Sequence, residues 1–208
     1  MPKDWTGWDI LKKELINLGI KDQLVLQTLQ DTPRPIFLPK NYRHFAVENK
    51  PFPIGCSQTN SQPFMVAKMT ELLKLKGCER VLEIGTGTGW QTTILSRLAK
   101  TVFTIERFSE LQKKAVKNFE NFNCKNIHSK TGNGLSGWKD QAPFDRILVT
   151  ASAVEIPNVL LDQLSEKGRM IIPVGSLIQW LVCVDKCNDR IKIKKLFPVR
   201  FVPLIDVR

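Results

Sequence analysis

Histidine is scarce in this chain: among 208 residues there are two, His44 and His128. Chemistry that needs an imidazole base, or a histidine cluster around a metal, has little to draw on. The five cysteines (Cys56, Cys78, Cys124, Cys183, Cys187) are odd in number and scattered, with no CxxC pair. That excludes a disulfide framework, argues against a zinc site and fits reduced thiols in a cytoplasm, with Cys183 and Cys187 read as free thiols flanking a turn. No apolar run is long enough to span a bilayer. The opening Met-Pro-Lys-Asp-Trp lacks the apolar core of a signal peptide. Repeats, low-complexity tracts and clear linkers are missing too, so 1–208 reads as a single domain, a length that buries a sizeable core.

Acidic residues are also outnumbered: 31 Lys and Arg face 20 Asp and Glu, a formal net charge of +11. Such a balance raises a nucleic-acid partner. The lysines are spread along the chain, however. The densest cluster, Lys192, Lys194 and Lys195, alternates with Ile191 and Ile193, as on a strand with one wet face. The interleaved aromatics on which single strands stack are absent. No specific nucleic-acid partner and no membrane partner is expected, and a monomer is favoured.

What the chain does have is Val81-Leu82-Glu83-Ile84-Gly85-Thr86-Gly87-Thr88-Gly89. This is a short buried strand running into a glycine turn that opens a helix from Trp90 to Lys100, with Ile94, Leu95 and Leu98 on its apolar face. Glycines at alternate positions let the backbone bend and let a ligand approach where a Cβ would collide. The helix start offers unpaired N–H groups. A second apolar strand, Val102 to Ile105, ends at Glu106, whose carboxylate can accept from both hydroxyls of a ribose. Strand, glycine turn, helix, strand and acid together form a nucleoside-cofactor cradle. The dinucleotide fingerprint G-x-G-x-x-G does not fit, because Trp90 stands where it wants its third glycine.

The rest of the chain alternates in type. Trp8 to Leu18 and Asp22 to Gln30 are expected helices, the first with Ile10, Leu11, Leu15 and Leu18 inward, the second stopped by Pro33 and Pro35. Residues 36 to 60 read as irregular, a length that is often functional. A helix follows from Ser61-Gln62-Pro63 to about Lys76, with Val66, Met69, Leu72 and Leu73 buried. Ser109 to Phe122 is another, with Ser109 as its cap. Ile127, Phe144 to Thr150, Arg169 to Val174, Leu177 to Asp185 and Arg190 to Phe197 are strands, and Pro157 to Leu164 is a helix. The last two strands are joined by Lys186-Cys187-Asn188-Asp189. Such an order means an open, mostly parallel α/β sheet with an antiparallel edge, and ligands sit beyond its strand ends. Gly85 to Gly89, Glu106, Asn133 and Thr150 all fall at such ends.

The E-x-G-x-G-x-G form is similar to that of the S-adenosylmethionine methyltransferases. Longer blocks are more specific: Ser61-Gln62-Pro63-Phe64-Met65, Val81 to Thr92, Ala142-Pro143-Phe144-Asp145, Glu155-Ile156-Pro157, Pro173-Val174-Gly175 and Val199 to Leu204 resemble, in order, the protein-L-isoaspartate O-methyltransferase family, from roughly residue 15 to 204. The resemblance implies a Rossmann-like α/β methyltransferase fold: an open, mostly parallel seven-stranded sheet with an antiparallel C-terminal hairpin, plus N-terminal helices. Residues 1–60 would carry those helices and the acceptor-binding segment, and 61–208 the cofactor-binding core. It implies S-adenosyl-L-methionine as cofactor, no metal, and isoaspartyl residues of damaged proteins as substrates, methylated so that the ester collapses to a succinimide. It assigns Glu83, Gly85, Thr86, Gly87, Gly89, Glu106, Asn133 and Gly134 to the cofactor. Thr59, Asn60 and Ser61 go to the acceptor, with Ser61 as the active-site residue. A carboxylate nucleophile is already ionised at pH 7 and needs no base. Ser61 at a helix start can grip it and can equally be a plain N-cap. His44 can touch substrate or merely pack, and His128 reads as structural.

Four positions depart from the family pattern. Ser57 replaces a glycine, at a cost on the order of 1 kcal/mol if the position needs positive φ. Asn60 replaces an apolar residue, Val47 an aromatic one, and Asn133 the aspartate that accepts from the adenine amino group. The first three fall in the acceptor-binding segment. Two other readings stay open: a methyltransferase for another carboxylate, and a non-catalytic module that keeps the fold.

Overall fold

The computed structural model describes residues 5–188 and 190–206. Two helices lead, α1 (Trp8–Asn17) and α2 (Gln23–Gln30). α1 buries Trp8, Leu11 and Leu15, spaced by three and four. Ile10 and Leu18, expected on the same face, are exposed. A neighbour one residue off a helical stripe is turned about 100° away, and Leu18 lies past the last turn. Asp22 caps α2, its carboxylate accepting from the N–H groups of Leu24 and Val25.

Residues 36–60, expected to be irregular, carry short elements. Two 3-10 turns (Arg34–Phe37 and Lys40–Phe45) precede a hairpin of β1 (Phe52–Gly55) and β2 (Gln58–Asn60). The prolines that bar an α-helix here are compatible with 3-10 turns and a two-stranded edge. At the hairpin turn Cys56 and Ser57 are both left-handed, with φ of 53° and 56°, as a two-residue hairpin loop requires.

α3 (Pro63–Leu73) has Gln62 as its N-cap residue, with no side-chain cap bond. Ser61 therefore stands one residue outside the helix and does not cap it. Lys74 turns left-handed and ends α3 three residues earlier than expected. Then come β3 (Arg80–Ile84), α4 (Trp90–Leu98), β4 (Thr101–Glu106), α5 (Ser109–Asn121), β5 (Ile127–Thr131), β6 (Phe144–Val149), α6 (Asn158–Asp162), β7 (Leu164–Val174), β8 (Gln179–Cys187) and β9 (Arg190–Val199). Phe108, not Ser109, occupies the cap position of α5; Ser109 is already helical. Cys183 and Cys187 both lie within β8, so they do not flank the turn, and Asp189 lies outside the described residues.

The seven-stranded sheet runs β5-β4-β3-β6-β7-β8-β9. Its first five strands pair in parallel, and β7, β8 and β9 pair antiparallel. Strand residues alternate between two apolar layers. Leu82, Ile84, Phe103 and Ile105 face α6; Val81, Val102 and Leu148 face α3 and α4. Covering both faces explains why the central strands read as almost unbroken apolar runs. A third apolar cluster joins α1 and α2 to Trp90, Ile94 and Leu98 of α4. From β3 the chain goes out to β4 and β5 and returns to β6 on the other side. That switch point opens a crevice beyond the carboxyl ends of β3 and β6. Among the described residues no helix is long and apolar enough to cross a membrane.

Candidate functional site

The crevice holds a cavity of about 960 Å³ including its open mouth. Its floor is the glycine turn after β3. Gly85 has φ of 98°, and a Cβ there would lie 2.3 Å from Thr150 Oγ1. That hydroxyl sits within 2.8 Å of the Gly85 carbonyl and 3.0 Å of the Ile84 carbonyl, tying the ends of β3 and β6 together. Position 85 therefore admits glycine alone, for conformation and for space.

Glu106 closes one side. Its Oε2 accepts from the Gly87 N–H at 2.7 Å, and its Oε1 from the Phe108 N–H at 3.0 Å. Each oxygen keeps a further lone pair for a ligand hydroxyl. Burial pushes the Glu106 carboxyl above the usual range, and the backbone N–H bonds oppose that shift. Gly134 lines the cavity as well. It is packed so that a Cβ would meet Ile84 Cγ2 at 2.3 Å.

Glu83 is placed beneath the turn, outside the cavity lining, fully buried on the face of β3 that meets α4. Its Oε2 accepts from the hydroxyls of Thr92 at 2.5 Å and Thr104 at 2.6 Å. Thr104 has one proton to give, so the Thr86 hydroxyl 2.6 Å away donates to Thr104. Thr86 lines the cavity. The acid thus reaches the site through two hydroxyls. Burial first, and the Glu106 charge last, push its pKa up to about 8.

Gly89 is also outside the lining. It starts α4 with φ of 87°, and a Cβ there would strike the Phe119 ring at 2.5 Å, so its smallness serves the packing of α4 on α5. Asn133 lies near the mouth but not in its wall. Its Oδ1 accepts from the Leu135 N–H at 2.9 Å, and its Nδ2 donates to Asp206 at 2.6 Å.

The facing wall is the hairpin. Gln58, Thr59, Asn60 and Ser61 line it together with Ile54. The hydroxyls of Thr59 and Ser61 have no hydrogen-bond partner among the described residues, whereas the Asn60 amide is taken, its Oδ1 accepting from Arg34 Nε at 2.9 Å. Val47 is not in this wall; it packs against Gly7 in the N-terminal cluster. His44 and His128 are absent from the lining as well, His128 stacking on Phe103 at 4.9 Å.

Three contributors carry no periodic signal in the sequence. Arg107 and Phe108 follow Glu106 into the wall, and Val202 to Ile205 strap across the mouth, held by backbone bonds between Ser152 and both Val202 and Leu204. The strap is irregular and follows the last strand, so only its adjacency to the named blocks could point to it. Arg107 Nη1 is buried without a partner among the described residues, as a donor kept for a ligand would be. The donors, the paired acid and the glycine floor fit a nucleoside whose ribose diol meets Glu106.

The profile of the family described as protein-L-isoaspartate(D-aspartate) O-methyltransferase matches residues 9–208. The chain is 48% identical over 204 residues to the protein-L-isoaspartate O-methyltransferase 1 of Anaeromyxobacter sp. (strain Fw109-5), covering 96% of each. It superposes with a TM-score of 0.85 on a solved protein-L-isoaspartate O-methyltransferase at 28% identity, covering 94% of this chain and 65% of that one. A second solved structure, from Plasmodium falciparum, is titled a putative protein-L-isoaspartate O-methyltransferase in complex with S-adenosyl-L-homocysteine; it aligns with a TM-score of 0.82 and 26% identity over 94% of this chain and 97% of that one. Fold, crevice and sequence agree over nearly the full length, and the chain belongs to the protein-L-isoaspartate (D-aspartate) O-methyltransferase family.

Proposed function

We infer that this chain transfers a methyl group from S-adenosyl-L-methionine to the carboxylate of L-isoaspartyl residues in damaged proteins, opening their return to aspartate through a succinimide. The observation that carries it is one cavity with two unlike walls: a glycine turn with a paired acid on one side, and hydroxyls without internal partners on the other. When bound, S-adenosyl-L-methionine supplies an electrophilic sulfonium methyl. Glu106 and the turn from Gly85 to Gly87 would hold its nucleoside, with Gly134 lining the same pocket. Glu83 and Gly89 act from behind, shaping the turn.

The chain's own task is positioning. An isoaspartyl carboxylate arrives ionised, so no side chain has to remove a proton. That agrees with a cavity lined by neither histidine. Ser61 donates to one carboxylate oxygen and leaves the other free to attack, and Thr59 steadies the neighbouring backbone. Ile54, Val66, Met69 and Trp90 line the space between the walls and exclude water, which strengthens these polar contacts. Charge is lost as the ester forms, so alignment and dehydration outweigh acid–base help. The Asn60 amide oxygen is engaged by Arg34, and its Nδ2 lies 3.5 Å from Thr88 Oγ1, so the amide is held by the chain itself. The free thiols suit a reducing cytoplasm.

The test is transfer of a labelled methyl group to an isoaspartyl peptide, with the aspartyl peptide as control. Transfer to the isoaspartyl peptide alone is expected. Cofactor binding with transfer only to another carboxylate would move the acceptor assignment. No cofactor binding at all would reduce the chain to a binding module. Ser61→Ala is expected to lower kcat by about 10- to 100-fold while cofactor affinity and fold stay unchanged.

A further inference from the structure

Arg34 is 0% exposed, yet among the described residues no carboxylate forms a hydrogen bond or ion pair with it. Its Nε donates to Asn60 Oδ1 at 2.9 Å. Its Nη1 donates to the carbonyls of Ala46 and Glu48 at 3.2 and 3.0 Å. Its Nη2 donates to those of Lys50, Asn60 and Ser61 at 2.8, 3.3 and 2.9 Å. The rings of Phe52 and Trp90 lie against it at 5.0 and 5.2 Å. Every bonded oxygen is neutral. Such dipoles solvate a cation but leave its net charge in place. The acid acting on it is Glu48, and that carboxylate already pairs with Lys50 at 2.5 Å on the exposed side. Burial, opposed by Glu48, pushes the Arg34 pKa down to about 9, which leaves it a cation at neutral pH.

A buried charge without a counter-ion is costly to the fold. Two of the residues bonded to it, Asn60 and Ser61, line the cavity on its acceptor wall. The positive charge therefore stands directly behind the Asn60–Ser61 stretch of that wall. We propose that Arg34 is the positioning residue of the acceptor side: it frames the Asn60–Ser61 strand and supplies the buried positive charge that the acceptor's carboxylate answers. This rests on the acceptor reading above. The carboxylate loses its charge on methylation, so the attraction is strongest for the bound acceptor and absent for the ester. Arg34 thus acts on acceptor binding and on release of product more than on the chemical step.

The test uses the full chain saturated with S-adenosyl-L-homocysteine. Binding of an isoaspartyl peptide is compared by calorimetry with that of its isoasparaginyl counterpart, which has the same shape and no charge. Wild type is expected to prefer the acid by about tenfold or more. Arg34→Met should bring that ratio close to one. Arg34→Lys should keep the preference while weakening both peptides, since an ammonium keeps the charge but cannot span all the carbonyls. A packing role alone would weaken both peptides equally and leave the ratio untouched; that result in Arg34→Met overturns the proposal. So does equal affinity for the two peptides in wild type, a measurement that needs no variant to fold. Should wild type methylate the isoaspartyl peptide and still show no charge preference, the proposal fails and the activity stands. Should it bind S-adenosyl-L-homocysteine and neither peptide, the acceptor reading fails and the proposal with it.

Discussion

Ser57 holds φ of 56° next to Cys56 at 53°. Two consecutive left-handed residues without glycine cost on the order of 1 kcal/mol each, and the chain accepts this to close the hairpin that carries Thr59 to Ser61. Ser57→Gly is expected to raise the unfolding free energy by about 0.5–1 kcal/mol, the relief of strain exceeding the extra unfolded-state entropy of glycine. Urea unfolding measures it, and kcat should not change because the exposed Ser57 side chain is away from the cavity lining. A loss of stability would mean that Ser57 contributes a contact worth more than the strain. The other departures are absorbed at the same scale. Asn60 spends its amide oxygen on Arg34, Val47 packs on Gly7, and Asn133 ties Leu135 and Asp206 together.

At the scale of elements, Glu83 links β3 to α4 through Thr92, to β4 through Thr104, and to the turn through Thr86. Its pKa, raised by burial from an ordinary 4.5 to about 8, sets a pH dependence. Between those two values the folded chain holds a proton that the unfolded chain has released. The stabilisation is therefore complete below about 4.5 and is lost as pH rises through about 8. Glu106, also raised by burial, adds to the same sign. Glu83→Gln keeps an oxygen for the two threonine hydroxyls and cannot ionise. It should be more stable than wild type at pH 8 by roughly 2–4 kcal/mol, with little difference at pH 5. Urea unfolding at the two pH values checks this; a slope as steep as that of wild type after the substitution would assign it elsewhere. These contacts also mark what a sequence can carry. The α/β sheet, its glycine turn and Glu106 are legible because period-2 and period-3.6 patterns and glycine spacing are local. The direction of Glu83 depends on which face of β3 meets α4, and the strap from Val202 to Ile205 depends on Ser152, fifty residues earlier. The 3-10 turns and hairpin within 34–60 were hidden by prolines that bar one helix type and permit another.

At the scale of the molecule, the N-terminal helices and the sheet share side chains. Trp90, the first residue of α4, packs with Trp5 and Trp8, donates its indole N–H to the Thr32 carbonyl at 2.9 Å and covers Arg34. Trp138 and Trp180 lie instead against the apolar layer that faces α6. A chain built this way is expected to unfold as one cooperative unit, although its acceptor wall and its cofactor floor come from different stretches of sequence. Tryptophan fluorescence, dominated by both clusters, and far-UV circular dichroism should then give the same midpoint. S-adenosyl-L-homocysteine at about 100 times its Kd should add about 2.7 kcal/mol. That raises the common Tm by about 5–11 °C for a domain of this size. If fluorescence instead showed two transitions, an early one that the ligand leaves unshifted and a later one that follows the circular dichroism, residues 1–60 would be a separate unit. The hairpin wall would then open without disturbing the cofactor floor, and Arg34, which sits between the two, would have to part from Trp90 before the sheet unfolds.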